Sequence, residues 1–480
     1  MRLLVDGCYL MAAGAVAPVL AYRAWTTGKY RADWDQRRGY LPNLPPSDRR
    51  VWVHAVSMGE VNAVRGLVDT WRQKSPATEF IISTTTDTGQ ARAKQVFPDL
   101  PVVRYPLDFS WFVTRALDRI KPTMIVLVEL EVWYQFVTLA VRRGIPVAVV
   151  NGRLSERSVR RFGWVRPVVR RMFEKLAWVG AQDEVYAERF RRIGVPPDRV
   201  GVTGSVKWDG AEVTDRIAGA DAAAGAMGLR ADRPLWVAGS TGPGEEQVIL
   251  EAYELLRKTH QDPQLMIVPR KPERFDEVAD LITQAGYTCS RRSQHPDASR
   301  GEMAESGTGF QPVQVGTDRQ DAGPTQKQTG RMPVPQQKQA GKMPVPQVFL
   351  GDTMGELRKF YSLASVVFVG RSLAEMGGSD TMEVAALAKP IVVGPHNENF
   401  TDTVAQLQRG EAVRILSVDL GDPGVVDQLA QVVGTLLHDH LGAEVMGRRA
   451  REVVLENRGA TQRTLAVLSE MLDRAQHRPA

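Results

Sequence analysis

Cysteine is almost missing: across 480 residues only Cys8 and Cys289 carry a thiol. Two thiols so far apart build no disulfide framework, and neither lies in a cluster with metal-ligand spacing, so a reducing compartment is implied. The Asp-x-Asp pattern occurs once, as Asp33-Trp34-Asp35, beside the N-terminal apolar stretch and not at a strand end, which removes it as a metal site. No nucleic-acid-binding module signature is present. Long apolar runs are scarce as well. Leu3 to Tyr22 is the candidate, broken by Asp6 and Pro18, and about 20 apolar residues are needed to cross a bilayer, so this is a marginal span.

A secretory signal is the rival reading of that segment, because Ala15-Val16-Ala17 has the form of a cleavage site. Pro18 directly after it is unfavourable, and the only preceding basic residue is Arg2. Arg23, Lys29, Arg31, Arg37 and Arg38 crowd the C-terminal side, which should hold the remainder in the cytoplasm. Residues 1–25 therefore read as an uncleaved membrane anchor, with Trp25 and Tyr30 at the interface.

An apolar content of 43% and a charged content of 24% are those of a globular chain long enough for two domains. A net charge of +6 points to an anionic partner. Between Arg153 and Lys175 lie eight basic residues against Glu156 and Glu174. A solvated helix face explains such a run most simply; a patch formed by Arg153, Arg157, Arg160 and Arg161 that faces a membrane or a phosphate is the functional alternative.

From Arg50 onward, strand-like and helix-like patterns alternate. The strand candidates are Val51–Val56, Glu79–Thr84, Val102–Tyr105, Met124–Val128, Pro146–Val150, Leu176–Gly180 and Arg199–Thr203. After a polar, alanine-rich bridge, a second series runs through Leu235–Ala238, Leu265–Val268, Val348–Leu350, Val366–Val369 and Ile391–Val393. Such alternation predicts α/β architecture: two doubly wound parallel sheets in tandem, over 26–210 and 211–424, with ligands at the C-terminal ends of strands. Helices are expected from Val425 to Leu436 and from Leu441 to about Gln476. Ser290–Gln347, rich in Gln, Gly and Pro and holding the near-duplicate Lys327–Pro335 and Lys338–Pro346, reads as a disordered insertion.

The chemistry sits where strands end. Ala364–Phe400 passes from an apolar run into Gly377-Gly378, and a helix over Thr381–Ala388 should follow; bare backbone before a helix start suits a phosphate, and Glu383 suits ribose hydroxyls. His54–Glu60 places a carboxylate at the lip of the first strand, where Glu60 either takes a proton from a hydroxyl or complements the helix dipole. Glu129 and Glu131 follow a wholly apolar strand, on one side of an extended chain or with Glu131 opening a helix. Lys207, Ser240-Thr241 and Arg270-Lys271 lie just past other strand ends, and the cations there can neutralise a phosphate leaving group.

Taken in order, His54–Glu60, Asn151-Gly152-Arg153-Leu154-Ser155, Gly204–Asp209, Val268-Pro269-Arg270, Gly351–Leu357, Gly377-Gly378 with Glu383, and Gly394-Pro395-His396 with Asn399-Phe400 resemble the signature of 3-deoxy-D-manno-octulosonic acid (Kdo) transferases. The resemblance implies a GT-B fold, with two Rossmann-like domains facing a cleft. It implies CMP-Kdo as donor, a lipid A precursor as acceptor at the cytoplasmic side of the inner membrane, inversion without metal or cofactor, and a monomer. By the same resemblance Glu60 matches the general base, Glu129 and Glu131 an acidic motif on the acceptor side, and Lys207 and Arg270 donor phosphate contacts. Ser57, Gly59, Ser240, Thr241, Lys271, Met354, Gly355, Gly377, Gly378, Glu383 and Asn399 complete the donor set. The sequence departs from the family pattern at Lys271, Ser379, Asp380, Ser205 and Tyr134-Gln135, and Asp380 would repel phosphate unless it points away or caps the helix. A nucleotide-sugar epimerase of the same build and an inactive relative that binds without transfer are the competing readings.

Overall fold

Runs such as Met124–Val128 and Val366–Val369 have no polar position, so both faces of each strand must be covered, and a parallel sheet between helical layers provides that. The computed structural model describes residues 5–7, 9–11, 14, 26, 33–163, 165–259, 262–295 and 346–476. It divides into two units, Met1–Glu212 with Leu455–Ala480, and Val213–Val454.

In the first unit the order is β1 (Arg50–His54), α1 (Met58–Lys74), β2 (Glu79–Thr84), α2 (Asp87–Val96), β3 (Val102–Arg104), α3 (Ser110–Ile120), β4 (Met124–Val128), α4 (Tyr134–Arg142), β5 (Val147–Gly152), α5 (Glu156–Gly163), α6 (Arg166–Phe173), β6 (Trp178–Ala181), α7 (Glu184–Ile193) and β7 (Val200–Val202). The strands lie in the order β3-β2-β1-β4-β5-β6-β7, all parallel. The winding reverses between β1 and β4. At such a switch point the loops leaving the two strands part to opposite faces and open a crevice, so the segments after His54 and after Val128 are placed side by side.

The second unit contains α8 (Ala220–Met227), β8 (Leu235–Thr241), α9 (Glu245–Thr259), β9 (Gln264–Pro269), α10 (Phe275–Gln284), β10 (Thr288–Arg291), β11 (Gln347–Leu350), α11 (Leu357–Leu363), β12 (Val366–Val369), α12 (Met382–Ala386), β13 (Ile391–Val393), α13 (Thr401–Arg409), β14 (Val413–Ile415), α14 (Val425–His438) and α15 (His440–Asn457), the last of which runs on past the division at Leu455. Its sheet is β10-β11-β9-β8-β12-β13-β14, again parallel, with the reversal between β8 and β12. The chain then returns to the first unit as α16 (Ala460–Gln476), which buries Leu465, Leu468 and Leu472 with residues of α1 and of the first sheet.

Burial follows the apolar pattern. Trp52, Trp71, Phe136 and Phe173 are fully enclosed in the first unit, and Trp236, Phe360 and Phe368 in the second, each worth about 1.5–3 kcal/mol of removal from water.

Several sequence expectations need correction. Strands β10 and β14 were not anticipated; both are sheet edges whose residues are partly exposed, so they lack the apolar signature of central strands. The expected insertion Ser290–Gln347 is too wide, because Ser290 and Arg291 belong to β10, Gln347 opens β11, and Thr288 N donates to Pro346 O at 3.0 Å. Residues 296–345 lie outside the described residues. The helix expected from Leu441 to Gln476 breaks at Arg458-Gly459, where Gly459 has φ 89°. Asp209 caps the start of α16 by accepting from Gly459 N at 2.6 Å and Thr461 N at 2.5 Å.

The N-terminal anchor, with Trp25 and Tyr30, falls mostly outside the described residues. Among the described residues no helix is long and apolar enough to cross a membrane. Asp6 is described and buried: it accepts from Ser110 N at 2.9 Å, Ser110 Oγ at 2.6 Å and Gln135 Nε2 at 2.9 Å.

Candidate active site

In the first unit, the turn leaving β1 builds a cap around Glu60. Ser57 is the N-cap of α1, its Oγ accepting from Glu60 N at 3.4 Å. In return, Glu60 Oε1 accepts from Ser57 Oγ at 3.0 Å and Oε2 from Val56 N at 2.9 Å. This reciprocal cap fixes the carboxylate with one lone pair still free on each oxygen. Burial pushes its pKa up to about 7; the Val56 and Ser57 hydrogen bonds pull the other way, and the charges of Glu129 and Glu131 add to the rise. Gly59 lies within the same first turn. Glu60 is thus a helix cap whose carboxylate carries a raised pKa.

Glu129 and Glu131 approach it from the other side of the switch point. Neither expected geometry for this pair holds. Glu129 leaves β4 in the left-handed region, φ 61°, and α4 begins only at Tyr134, so the pair sits on an irregular turn. Lys207 Nζ is 3.4 Å from Glu129 Oε1, and Trp133 Nε1 donates to Glu131 Oε2 at 3.0 Å. Burial holds Glu131 above the usual carboxylate range. Lys207, which the sequence suggested as a phosphate contact, is in this structure the partner of Glu129. Its loop is held by Asn151, whose Oδ1 accepts from Val206 N at 3.2 Å and whose own φ is 53°.

Other first-unit candidates have structural roles. His54 is enclosed, stacks on Tyr105 at 3.8 Å and meets Ser83 Oγ through Nδ1 at 3.0 Å; burial drives its pKa down to about 3, so it is neutral. Asp33 pairs with Arg104 at 2.8 Å, and Arg104 also holds Asp87 at 2.7 Å. Arg153 donates to Tyr186 Oη at 3.3 Å, whereas Arg157, Arg160 and Arg161 are exposed on α5, a helix with no buried residue.

In the second unit the loops after β8, β9 and β12 carry the donor candidates. Ser240 is buried with φ 57°, and the Thr241 hydroxyl donates to Glu246 Oε1 at 2.7 Å, so Thr241 serves the loop through its side chain. Arg270 and Lys271 are exposed just beyond β9. Met354 is exposed, and Gly355 has φ 86° in the turn before α11. Glu383 is raised by burial and by Asp380, with Arg358 and Arg270 acting against the rise. Arg358, buried Tyr361 and Asn397 were not singled out from sequence; only their placement around Glu383 and the glycine pair reveals them.

Gly377 and Gly378 have φ of 81° and 77°, and a Cβ on Gly378 would lie 2.9 Å from Asn397 Oδ1, while one on Gly377 would strike the Asn399 amide. These glycines are required by conformation and by space. The helix expected over Thr381–Ala388 is only Met382–Ala386, starting four residues after Gly378, so the pair does not sit directly on a helix N-terminus. Asp380, one residue before the N-cap Thr381, accepts from Met382 N at 2.9 Å through Oδ1, and its charge still adds to the rise at Glu383. Among the described residues no group of three or more His, Cys, Asp or Glu is arranged to hold a metal ion.

With both strand-end constellations in place, the comparisons are specific. Residues 32–210 match the family model of 3-deoxy-D-manno-octulosonic-acid transferase (kdotransferase). Over 448 residues the chain is 30% identical to the 3-deoxy-D-manno-octulosonic acid transferase of Haemophilus influenzae, covering 93% of each chain. The chain belongs to the Kdo transferase family. The family's Bordetella pertussis enzyme is 30% identical over 483 residues, 97% of this chain and 99% of that one. Among solved structures, a UDP-GlcNAc 2-epimerase from Neisseria meningitidis bound to UDP-GlcNAc aligns with a TM-score of 0.53 at 13% identity, over 88% of this chain and 100% of that one. MurG of Acinetobacter baumannii aligns with a TM-score of 0.52 at 12% identity, over 88% and 99%. At such identities the likeness speaks for the fold alone, which is GT-B.

Proposed function

We propose that this Kdo transferase moves Kdo from CMP-Kdo to a lipid A precursor, with inversion at the anomeric carbon and without a metal ion. The observation that carries the reading is Glu60: a fixed carboxylate at the switch point of the first sheet, with a pKa pushed up to about 7. In the proposed reaction Glu60 takes the proton of an acceptor hydroxyl as its oxygen bonds to the anomeric carbon. The bond from that carbon to the phosphate oxygen breaks, and the electron pair leaves on CMP. Arg270 and Lys271 offer fixed positive charge for the phosphate, and Glu383 accepts from ribose hydroxyls. Met354, Gly355, Gly377, Gly378 and Asn399 supply backbone and amide contacts to the nucleotide. Glu129 and Glu131 belong to the acceptor side, where Lys207 Nζ lies 3.4 Å from Glu129 Oε1.

The exposed arginines Arg157, Arg160 and Arg161 on α5 support docking on an anionic membrane surface at the cytoplasmic side of the inner membrane, where such an acceptor would reside. The protein is proposed to act as a monomer. An epimerase reading has only the fold in its favour. Incubation of purified protein with CMP-Kdo and lipid A precursor, followed by mass spectrometry of the lipid, tests the proposal. A lipid heavier by Kdo is expected, and an unchanged lipid with folded protein and authentic substrates would refute it.

A further inference from the structure

One buried carboxylate in the second unit lies outside the reaction just described. Glu245, at the first position of α9, is fully enclosed, and its two oxygens take four backbone N–H groups. Oε2 accepts from Gly242 N at 2.8 Å and Arg371 N at 2.6 Å; Oε1 accepts from Ser372 N and Leu373 N, each at 2.9 Å. One side chain therefore satisfies the loop after β8 and three consecutive amides of the loop after β12, on the two sides of the sheet's switch point. No water is needed there and little room remains: a Cβ on Gly370 would lie 2.8 Å from Glu245 Oε2 and 2.7 Å from Thr241 Cα.

The bonds continue outward from those amides. Arg371 O accepts from Gly378 N at 2.8 Å, and Ser372 O accepts from His396 N at 2.9 Å. Ser372 Oγ accepts from Gly394 N at 2.8 Å while donating to Val369 O at 2.7 Å. Gly377 O in turn accepts from Asn399 N at 3.0 Å. Within two links of Glu245 stand Gly378 and the 394–396 turn, and Gly377 and Asn399 follow directly.

We infer that Glu245 is a positioning residue for the donor-side loops, holding the Gly377-Gly378 turn and the Asn399 segment in register with Ser240-Thr241. The inference rests on the reading of the second unit as the half that binds the CMP part of the donor. A carboxylate is required because both oxygens must accept twice. In Glu245→Gln, whichever way the amide lies, its NH2 group faces two N–H donors, and either the Ser372 and Leu373 amides or those of Gly242 and Arg371 are released.

Titration of the full-length protein with CMP, alongside steady-state kinetics with CMP-Kdo, tests this. Glu245→Gln is expected to weaken CMP binding and raise the donor KM by at least about tenfold, with kcat at saturating donor and the acceptor KM within about twofold of wild type. Leu429→Ala, which opens the core under α14, serves as a control: it should lower Tm and leave CMP affinity intact. Should Glu245→Gln fail to fold, Ser372→Ala, which removes the Oγ bonds to Gly394 N and Val369 O and leaves the Glu245 bonds in place, is expected to weaken CMP binding several-fold with a modest fall in Tm. Unchanged CMP affinity in whichever of these variants folds overturns the inference, as does a Leu429→Ala variant that loses affinity as much. Wild-type protein that binds neither CMP nor CMP-Kdo removes the donor reading itself, and the inference with it.

Discussion

Replacing Glu60 by Gln separates the chemical role of this side chain from its structural one. The amide is nearly isosteric: its oxygen can still accept from Val56 N, and its NH2 group can donate to Ser57 Oγ, so the cap around α1 survives. What disappears is the base. General-base catalysis contributes about 10²–10⁴-fold, or about 3–5 kcal/mol of barrier, and kcat should fall by that factor while CMP binding is unchanged. In the wild type, kcat/KM should carry an acidic limb near pH 7, because the ionised form of Glu60 is the active one and its pKa is pushed up to about 7. Stability moves the other way. A carboxylate whose folded pKa is raised from 4.5 to about 7 favours the folded state below pH 4.5 and loses that contribution as pH rises to about 7, by about 3 kcal/mol at 1.36 kcal/mol per pKa unit. Glu60→Gln lacks this penalty, so it should equal the wild type in stability at pH 4 and exceed it at pH 8. Paired kinetic and urea-unfolding measurements at pH 5, 6, 7 and 8 decide the matter. A variant retaining more than a tenth of wild-type kcat, or a wild-type kcat/KM that is flat from pH 5 to 8, would refute the assignment.

Further consequences concern the frame that holds the two sites. Asp209→Ala removes the cap on α16 and should cost about 1–2 kcal/mol in thermal unfolding, with Asp209→Asn losing less because one acceptor remains. Arg274→Met leaves the enclosed Glu246 carboxylate without its partner at 2.7 Å, an expected loss of about 3–5 kcal/mol by urea unfolding. Adding Glu246→Gln to that variant should recover part of the loss. Deletion of residues 298–343 with a short Gly-Ser join should leave the unfolding free energy unchanged or raise it by about 1 kcal/mol, as expected for shortening a loop of polar composition. A marked fall in Tm would show that the segment carries stability.

The central strands were legible because both of their faces are buried, which imposes uninterrupted apolar runs such as Met124–Val128, Val366–Val369 and Ile391–Val393. β10 and β14 were not, because an edge strand such as Thr288–Arg291 needs no such run. Candidate residues in the loops after strands, including Glu60, Glu129, Lys207, Arg270 and Gly377-Gly378, could be placed by topology alone, since the C-terminal ends of a parallel sheet are where loops gather. Their conformations could not. The left-handed Glu129 and the Asp380–Met382 bond before a five-residue helix are backbone details that residue type alone does not specify, and the Glu129–Lys207 pair joins segments distant in sequence. Glu245-Glu246 was not singled out from the sequence, since two acids opening a helix are what ordinary dipole complementation produces. Four amide donors converge on Glu245 because the winding of the parallel sheet reverses between β8 and β12, which brings the loops after these two strands together.

The most direct test of Kdo transfer counts two products of one reaction. With purified protein, CMP-Kdo, lipid A precursor and excess EDTA, the CMP released should match the Kdo-bearing lipid formed, mole for mole. Release of CMP with no gain in lipid mass, or a reaction that stops on chelation and resumes when a divalent ion is restored, would contradict the mechanism proposed for this chain.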